Sequence, residues 1–232
     1  MFLLRKKCFF RRALLLVSIL SIGMLPQTAA ARTVSVGLAI GQSSVSVSSS
    51  SALSATDGSG KKHALGTTAV FRSAGTNSVV AGNRTLRLPV SISSRHPLSF
   101  NKRRYRGGFR LVSSGSGITL LNVLDLEEYL RGVLKMEVNP AWSMEALKAQ
   151  AVISRTYALR SVLQNRGKGG YDLRDTVMSQ VYRGMNAEDP KTDQAIRATK
   201  GMVLKYGEEI AFTPFHSHSG GANADVTTVW GG

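Results

Sequence analysis

One acidic residue lies where the sequence otherwise places apolar side chains. Leu126, Leu130, Val133 and Glu137 follow at intervals of four, three and four residues, so they share one face of a predicted helix. Pro140 ends that helix, because the residue before a proline is disfavoured in the α region. A carboxylate in the last turn faces the negative end of the helix dipole, and partial burial further disfavours its charged form. Both effects raise the pKa of Glu137 and suit it to general acid catalysis.

The same position is also compatible with a structural ion pair against the next helix. That second helix is predicted to begin after Ser143, a suitable N-cap, and to end near Asn165. Arg155 and Tyr157 lie in its middle among apolar residues. Arg155 is a candidate partner for Glu137 or for a substrate oxygen, or it lies on a solvated flank. The spacing alone leaves these alternatives open.

A second polar cluster follows a predicted C-terminal β-hairpin, whose strands are expected at residues 202–206 and 210–213. His216 and His218 face the same way on an extended segment, where they could ligate a metal. They supply only two ligands, and no Cys is available nearby, so we expect no cofactor and no zinc. Together with Ser217 they are interpreted instead as hydrogen-bonding side chains of a polar groove.

The elements that must position these groups are predicted to form an α+β fold. Val34, Val36 and Leu38 alternate with polar residues, and so do Leu86, Leu88, Val90 and Ile92, which is the pattern of half-buried strands. Ser43–Gly60, which is rich in Ser, is interpreted as a loop or a hairpin with a long tip. The sequence therefore predicts a β-rich N-terminal part, a helical segment carrying Glu137, and the C-terminal hairpin.

The N-terminus and the charge indicate export and a polyanionic partner. Five basic residues precede the apolar run from Ala13 to Leu25, and small residues follow, so residues 1–31 are predicted to be a signal peptide, with an uncleaved anchor as the alternative. The chain has a formal net charge of +16. In an exported protein this charge favours cell-wall polymers, acidic glycans or anionic membrane faces. No nucleic-acid motif accompanies it, and the basic cluster at residues 102–110 is equally typical of a charged strand edge.

Five motifs follow one another in the chain: Tyr105–Gly107, Tyr129–Leu159, Ser179–Tyr182, Ala198–Gly201 and Phe215–Gly221. In this order they resemble the stage II sporulation protein D and amidase-enhancer family of bacterial cell-wall proteins. The resemblance covers the chain after about residue 100, which we treat as one domain, residues 105–232, after a β-rich region at 32–104.

This resemblance implies a role on peptidoglycan. Sporulation members are lytic transglycosylases, which cut the bond between N-acetylmuramic acid and N-acetylglucosamine and leave a 1,6-anhydro end. The matching acid/base is Glu137, with Gln150, Arg155, Tyr157, His216, Ser217 and His218 as expected substrate-binding residues. The alternative is a non-catalytic glycan-binding protein that stimulates a cell-wall amidase. The family domain normally continues past Gly232, so a C-terminally truncated domain is one interpretation. The absence of any Cys after Cys8 departs from the zinc site of some members.

Overall fold

The computed structural model describes residues 33–115, 117–165, 168, 170–215, 220–222, 224–225 and 228–229. The predicted signal peptide lies outside these ranges. Across the ranges that are described, no helix combines the length and the apolar character needed to cross a bilayer.

Two antiparallel β-sheets precede and support the helices. The strands are β1 (Thr33–Gln42), β2 (Ser44–Ser49), β3 (Leu53–Thr56), β4 (Lys62–Ala64), β5 (Thr68–Ser73), β6 (Ser78–Ala81), β7 (Arg84–Arg87), β8 (Val90–Ser94), β9 (Leu98–Phe100), β10 (Arg103–Tyr105), β11 (Gly108–Ser114), β12 (Gly117–Asp125), β13 (Leu173–Arg174), β14 (Lys205–Tyr206) and β15 (Glu209–Ile210). The helices are α1 (Leu126–Arg131), α2 (Leu134–Glu137), α3 (Met144–Asn165) and α4 (Pro190–Ala198), with a 3-10 helix at Gly184–Ala187.

One of the two sheets combines strands from residues 33–94 with strands from residues 108–174. A seven-stranded sheet has the order β13-β1-β12-β11-β8-β3-β4, and a six-stranded sheet has the order β10-β9-β2-β5-β6-β7. All pairings are antiparallel except the short parallel contact of β13 with β1. Strands β14 and β15 form the separate C-terminal hairpin, shorter than predicted. The predicted α+β class, with strands first and helices after, is confirmed.

One local prediction in the β-rich part is wrong. The Ser-rich segment is neither a loop nor one hairpin, because it forms β2 and β3, which belong to different sheets. Val45 and Val47 are buried and alternate with Ser residues, which is the period of a strand.

The alternating burial predicted for Leu86, Val90 and Ile92 is confirmed. It is divided at Pro89 between two strands, so that β7 joins one sheet and β8 the other. Proline has no backbone N–H to donate to a sheet, which explains the interruption.

The helix expected to run continuously to Glu137 is also interrupted. It begins after Asp125, whose side chain accepts a hydrogen bond from the backbone N–H of Glu127 at 2.8 Å. However, α1 ends at Arg131, and Gly132 is its C-cap. Glu137 therefore ends a separate helix of four residues. The second predicted helix is confirmed: α3 begins after Ser143, whose hydroxyl accepts a hydrogen bond from the N–H of Ala146 at 3.3 Å.

A buried ion pair fastens α1 to α3 and α4. The side chain of Arg155 is only 1% exposed, and its Nε and one terminal nitrogen each lie 2.8 Å from a carboxylate oxygen of Glu127. The guanidinium also donates to the carbonyl oxygens of Ile196 and Met202, both at 3.2 Å. The Arg155 side chain thus links its own helix, α3, to α1, to α4 and to the turn that follows α4. Such a clamp is sensitive to the loss of either charge.

We expect Glu127→Gln to lower the free energy of unfolding by about 3–5 kcal/mol, because it leaves the Arg155 guanidinium buried without its counter-ion. Urea denaturation at pH 7 measures this difference. The matched control is Glu145→Gln, since that carboxylate pairs with Lys148 while remaining 82% exposed, and its loss costs at most about 0.5 kcal/mol. Equal effects of the two substitutions would contradict a clamping role for Arg155.

Candidate active site

Glu137 lies half-buried at the end of α2, and one carboxylate oxygen accepts a hydrogen bond from the backbone N–H of Val181 at 3.0 Å. Burial raises the pKa of Glu137, whereas this hydrogen bond favours the charged form and limits the rise. The predicted direction of the pKa shift therefore agrees with the structure. Of the two predicted causes, burial is present, whereas a helix of four residues has little dipole to contribute.

The N–H of Val181 is held in place by buried neighbours on both sides. The amide oxygen of Gln180 accepts a hydrogen bond from the Tyr129 hydroxyl at 3.2 Å, and its NH₂ donates to the carbonyl oxygen of Ser154 at 3.4 Å. On the other side, the Tyr182 hydroxyl donates to the side-chain oxygen of Asn122 at 2.7 Å. Both Gln180 and Tyr182 are 1% exposed. The segment Ser179–Tyr182 is therefore a rigid donor platform for Glu137.

Gly132 explains how this platform approaches the helices. A Cβ atom at Gly132 would lie 2.4 Å from a ring carbon of Tyr182, which is far inside contact distance. The carbonyl oxygen of Gly132 also accepts a hydrogen bond from the N–H of Arg183 at 3.0 Å. The break between α1 and α2 thus coincides with the place where the Tyr182 ring packs against the backbone.

Exposed apolar side chains flank the carboxyl group along the chain. Met136 precedes Glu137, and Trp142 follows it in a turn closed by a 3.0 Å hydrogen bond from its N–H to the carbonyl oxygen of Asn139. Both are exposed, as are Val177 and Met178 in the loop that leads to Val181. Exposed apolar and aromatic side chains suit the binding of a sugar ring, and these lie on the two segments that carry Glu137 and Val181.

A second half-buried carboxylate belongs to the same loop. The carbonyl oxygen of Asp175 accepts a hydrogen bond from the N–H of Tyr182 at 3.3 Å, which closes the loop. Burial raises the pKa of its side chain, while Arg183 and Arg103, each 3.9 Å away, oppose the rise. The sequence analysis missed Asp175, Gln180 and Val181 as candidate site residues. The available signal was the Ser179–Tyr182 motif, which contains two of them.

Three further residues predicted for the site, Gln150, Arg155 and Tyr157, lie on α3 and have different surroundings. Arg155 pairs with Glu127 rather than with Glu137, and it is buried. The Gln150 side chain donates to the Ser154 hydroxyl at 3.3 Å, next to the carbonyl that receives Gln180. Tyr157 is half-buried against the core, and burial raises the pKa of its hydroxyl.

His216, Ser217 and His218 lie outside the described residues. Within the described part of the chain, no group of three or more His, Cys, Asp or Glu side chains is arranged to hold a metal ion. The expectation of no metal cofactor therefore stays a prediction.

Comparison with known proteins identifies the part of the chain that forms this site. Residues 114–206, which contain α1 to α4 and the Ser179–Tyr182 platform, match the family model for the Stage II sporulation protein (SpoIID). The resemblance predicted from the motifs is confirmed over this range, because residues 114–206 match the model of the stage II sporulation protein family.

Three curated relatives show how far the similarity extends. An uncharacterized protein of Brachyspira hyodysenteriae is 34% identical over 61% of this chain and 39% of its own length. The amidase enhancer of Bacillus subtilis is 33% identical over 64% of this chain and 20% of its own length. Stage II sporulation protein D of Bacillus subtilis is 31% identical over 46% of this chain and 35% of its own length. The chain thus spans well under half the length of each relative.

We expect Gly132→Ala to destabilise the fold by about 1–3 kcal/mol, because the added methyl group meets the Tyr182 ring and the core must shift to admit it. Thermal or urea denaturation measures the change. Gly66→Ala is the matched control, since the nearest atom to a Cβ there is 3.8 Å away and contact would be ordinary. An unchanged stability in Gly132→Ala would show that Tyr182 does not depend on the glycine.

Proposed function

We propose that this protein acts on peptidoglycan as a lytic transglycosylase with Glu137 as its single acid/base. The observation that carries the proposal is the environment of Glu137: a half-buried carboxyl group with a raised pKa, held by the N–H of Val181. The family match and the named functions of the relatives supply the substrate class.

The chemistry needs one carboxyl group that gives and then takes a proton. Protonated Glu137 donates to the glycosidic oxygen as the bond from that oxygen to C1 of the muramic acid residue breaks. The 6-hydroxyl oxygen of the same residue forms the new bond to C1, and the Glu137 carboxylate removes the 6-hydroxyl proton. No water is consumed, so the second carboxylate of ordinary glycosidases is not required.

The two influences on the pKa of Glu137 match these two steps. Burial favours the protonated form that donates in the first step. The hydrogen bond from Val181 favours the carboxylate that is left and that must accept the second proton. Because a backbone N–H carries no net charge, it supports the anion without fixing the group in the ionised state, as a nearby Arg would.

A second candidate function is enhancement of a peptidoglycan amidase. The similarity to the amidase enhancer of Bacillus subtilis favours it, because that relative matches a larger share of this chain than stage II sporulation protein D does. In that case the protein holds glycan strands for a partner amidase through other residues, and Glu137 transfers no proton. For either function we propose that the protein is exported to the cell envelope, where its substrate or partner lies.

The decisive experiment incubates the purified protein with intact peptidoglycan and with glycan strands stripped of their stem peptides. Mass spectrometry then detects 1,6-anhydro ends. We expect the wild-type protein to form them and Glu137→Gln to lose at least about 100-fold in rate, since acid–base catalysis contributes about 10²–10⁴-fold. Glu145→Gln, which removes an exposed carboxylate, is the control and keeps wild-type activity.

The enhancer alternative predicts a different set of results. No 1,6-anhydro ends would form from either substrate, and stimulation of a purified cell-wall amidase would be equal in wild type and Glu137→Gln. That combination would overturn the enzymatic proposal.

A further inference from the structure

The positive charge is concentrated in the β-rich part of the chain, away from the acid/base. Residues 33–104 contain nine basic residues and one acidic residue, whereas residues 105–232 contain fifteen basic and thirteen acidic residues. The one acidic residue, Asp57, is buried, and a carboxylate oxygen lies 2.8 Å from Nε2 of His63. Almost nothing in this region offsets its cations.

Part of this charge lines a groove between the edges of the two sheets. Strand β4 is the edge of the seven-stranded sheet, and β7 is the edge of the six-stranded sheet. A terminal nitrogen of Arg84 donates to the carbonyl oxygen of Ala64 at 2.7 Å and so joins the two edges. Two adjoining cavities of about 500 and 450 Å³ meet at Ala64 and Arg84, which line both. We call this feature the edge groove.

Four exposed cations line the edge groove, and no carboxylate does: Lys61, Lys62, Arg72 and Arg84. Within the described residues, none of the four takes part in an ion pair. The basic cluster predicted from the sequence behaves differently. Arg106 lies 2.6 Å from a carboxylate oxygen of Glu188, and Arg103 lies 3.9 Å from one of Asp175. Those cations are already neutralised in part, while those of the groove face solvent.

The lining also narrows the chemistry of a ligand. Apart from the charged residues it consists of small, aliphatic and uncharged polar side chains together with His63, and it contains no Phe, Tyr or Trp. Single-stranded nucleic acids are usually held by aromatic side chains on which bases stack. A chain of phosphate groups joined by small polyols needs no stacking surface, and its anions match the guanidinium fork of Arg and the ammonium of Lys.

We propose that the edge groove binds a linear polyol-phosphate polymer of the cell envelope. The choice of polymer rests on the proposed function, because that function places the protein where such chains accompany the glycan. Two separate surfaces then bind different ligands: the edge groove binds the anionic polymer, and the site around Glu137 acts on the glycan strand.

The test measures binding of a fluorescently labelled poly(glycerol phosphate) to the full chain by anisotropy, across a series of salt concentrations. Four contacts to a single-stranded polyanion predict a log–log slope of about −3, so affinity falls roughly 50-fold between about 50 and 200 mM salt. We expect the variant Lys61→Gln/Lys62→Gln/Arg72→Gln/Arg84→Gln to bind at least about tenfold more weakly at low salt and to show a shallower slope.

The matched control removes the same charge elsewhere through Arg110→Gln/Arg197→Gln/Lys200→Gln/Lys205→Gln, four exposed positions outside the groove. A triple variant that retains Arg84 preserves its hydrogen bond to Ala64 and is expected to lose most of the binding as well. Equal losses in the groove and control variants, or full binding by the groove variants, would overturn the assignment. Tighter binding of a single-stranded oligonucleotide of equal charge would overturn the choice of polymer.

Glu137→Gln separates this proposal from the proposed enzyme function. The polymer assay contains no peptidoglycan, so we expect this variant to bind poly(glycerol phosphate) as the wild type does. Binding with no 1,6-anhydro products would support the edge groove and contradict the transglycosylase. Formation of 1,6-anhydro products by a protein that does not bind the polymer would support the transglycosylase and contradict the edge groove.

Discussion

The candidate site depends on the hydrogen bond from the Val181 N–H to Glu137. This bond joins two segments that are 44 residues apart in sequence, and the N–H is a backbone group whose position is set by the residues on either side. Gln180 and Tyr182 supply that restraint through buried hydrogen bonds to α1, α3 and β12. The protonation of Glu137 thus depends on the packing of Ser179–Tyr182, which contacts the carboxyl group through an uncharged backbone N–H.

The strands and the helices have distinct physical roles in this arrangement. Strand β12 is buried along nearly its whole length and runs directly into α1 through Asp125, so the central sheet sets where the helices begin. The ion pair between Arg155 and Glu127 then fixes α1 against α3. A core that is held this firmly lets α2 be only four residues long and still hold Glu137 half-buried. The edge strands β4 and β7, in contrast, carry cations that form no ion pair among the described residues, which suits these strands to contact with a polyanion.

Local patterns in the sequence predicted the elements whose cause is local. Ser143 predicted the start of α3, and the alternation around Val34 predicted β1. Contacts between distant residues could not be predicted in this way. The break at Gly132 lies where the ring of Tyr182, fifty positions later, packs against the backbone.

The partners within the site were equally hidden from the sequence. The sequence made Arg155 a candidate partner for Glu137, whereas the packing of α1 on α3 pairs it with Glu127. Val181 acts through its backbone, so its side chain gives no indication of its role. The carboxylate of Asp57 is buried against His63 across the turn from β3 to β4, so it does not compensate the cations of the edge groove.

This environment is expected to keep Glu137 protonated at a pH where an ordinary glutamate is ionised. The most direct measurement is a titration of the full chain labelled with ¹³C at the glutamate side-chain carboxyl carbon, followed by NMR, with Glu137→Gln used to assign the resonance. Burial predicts a midpoint for Glu137 above 4.5, its ordinary pKa. A midpoint at or below that value would contradict the account, because the group would then carry no proton to donate near neutral pH.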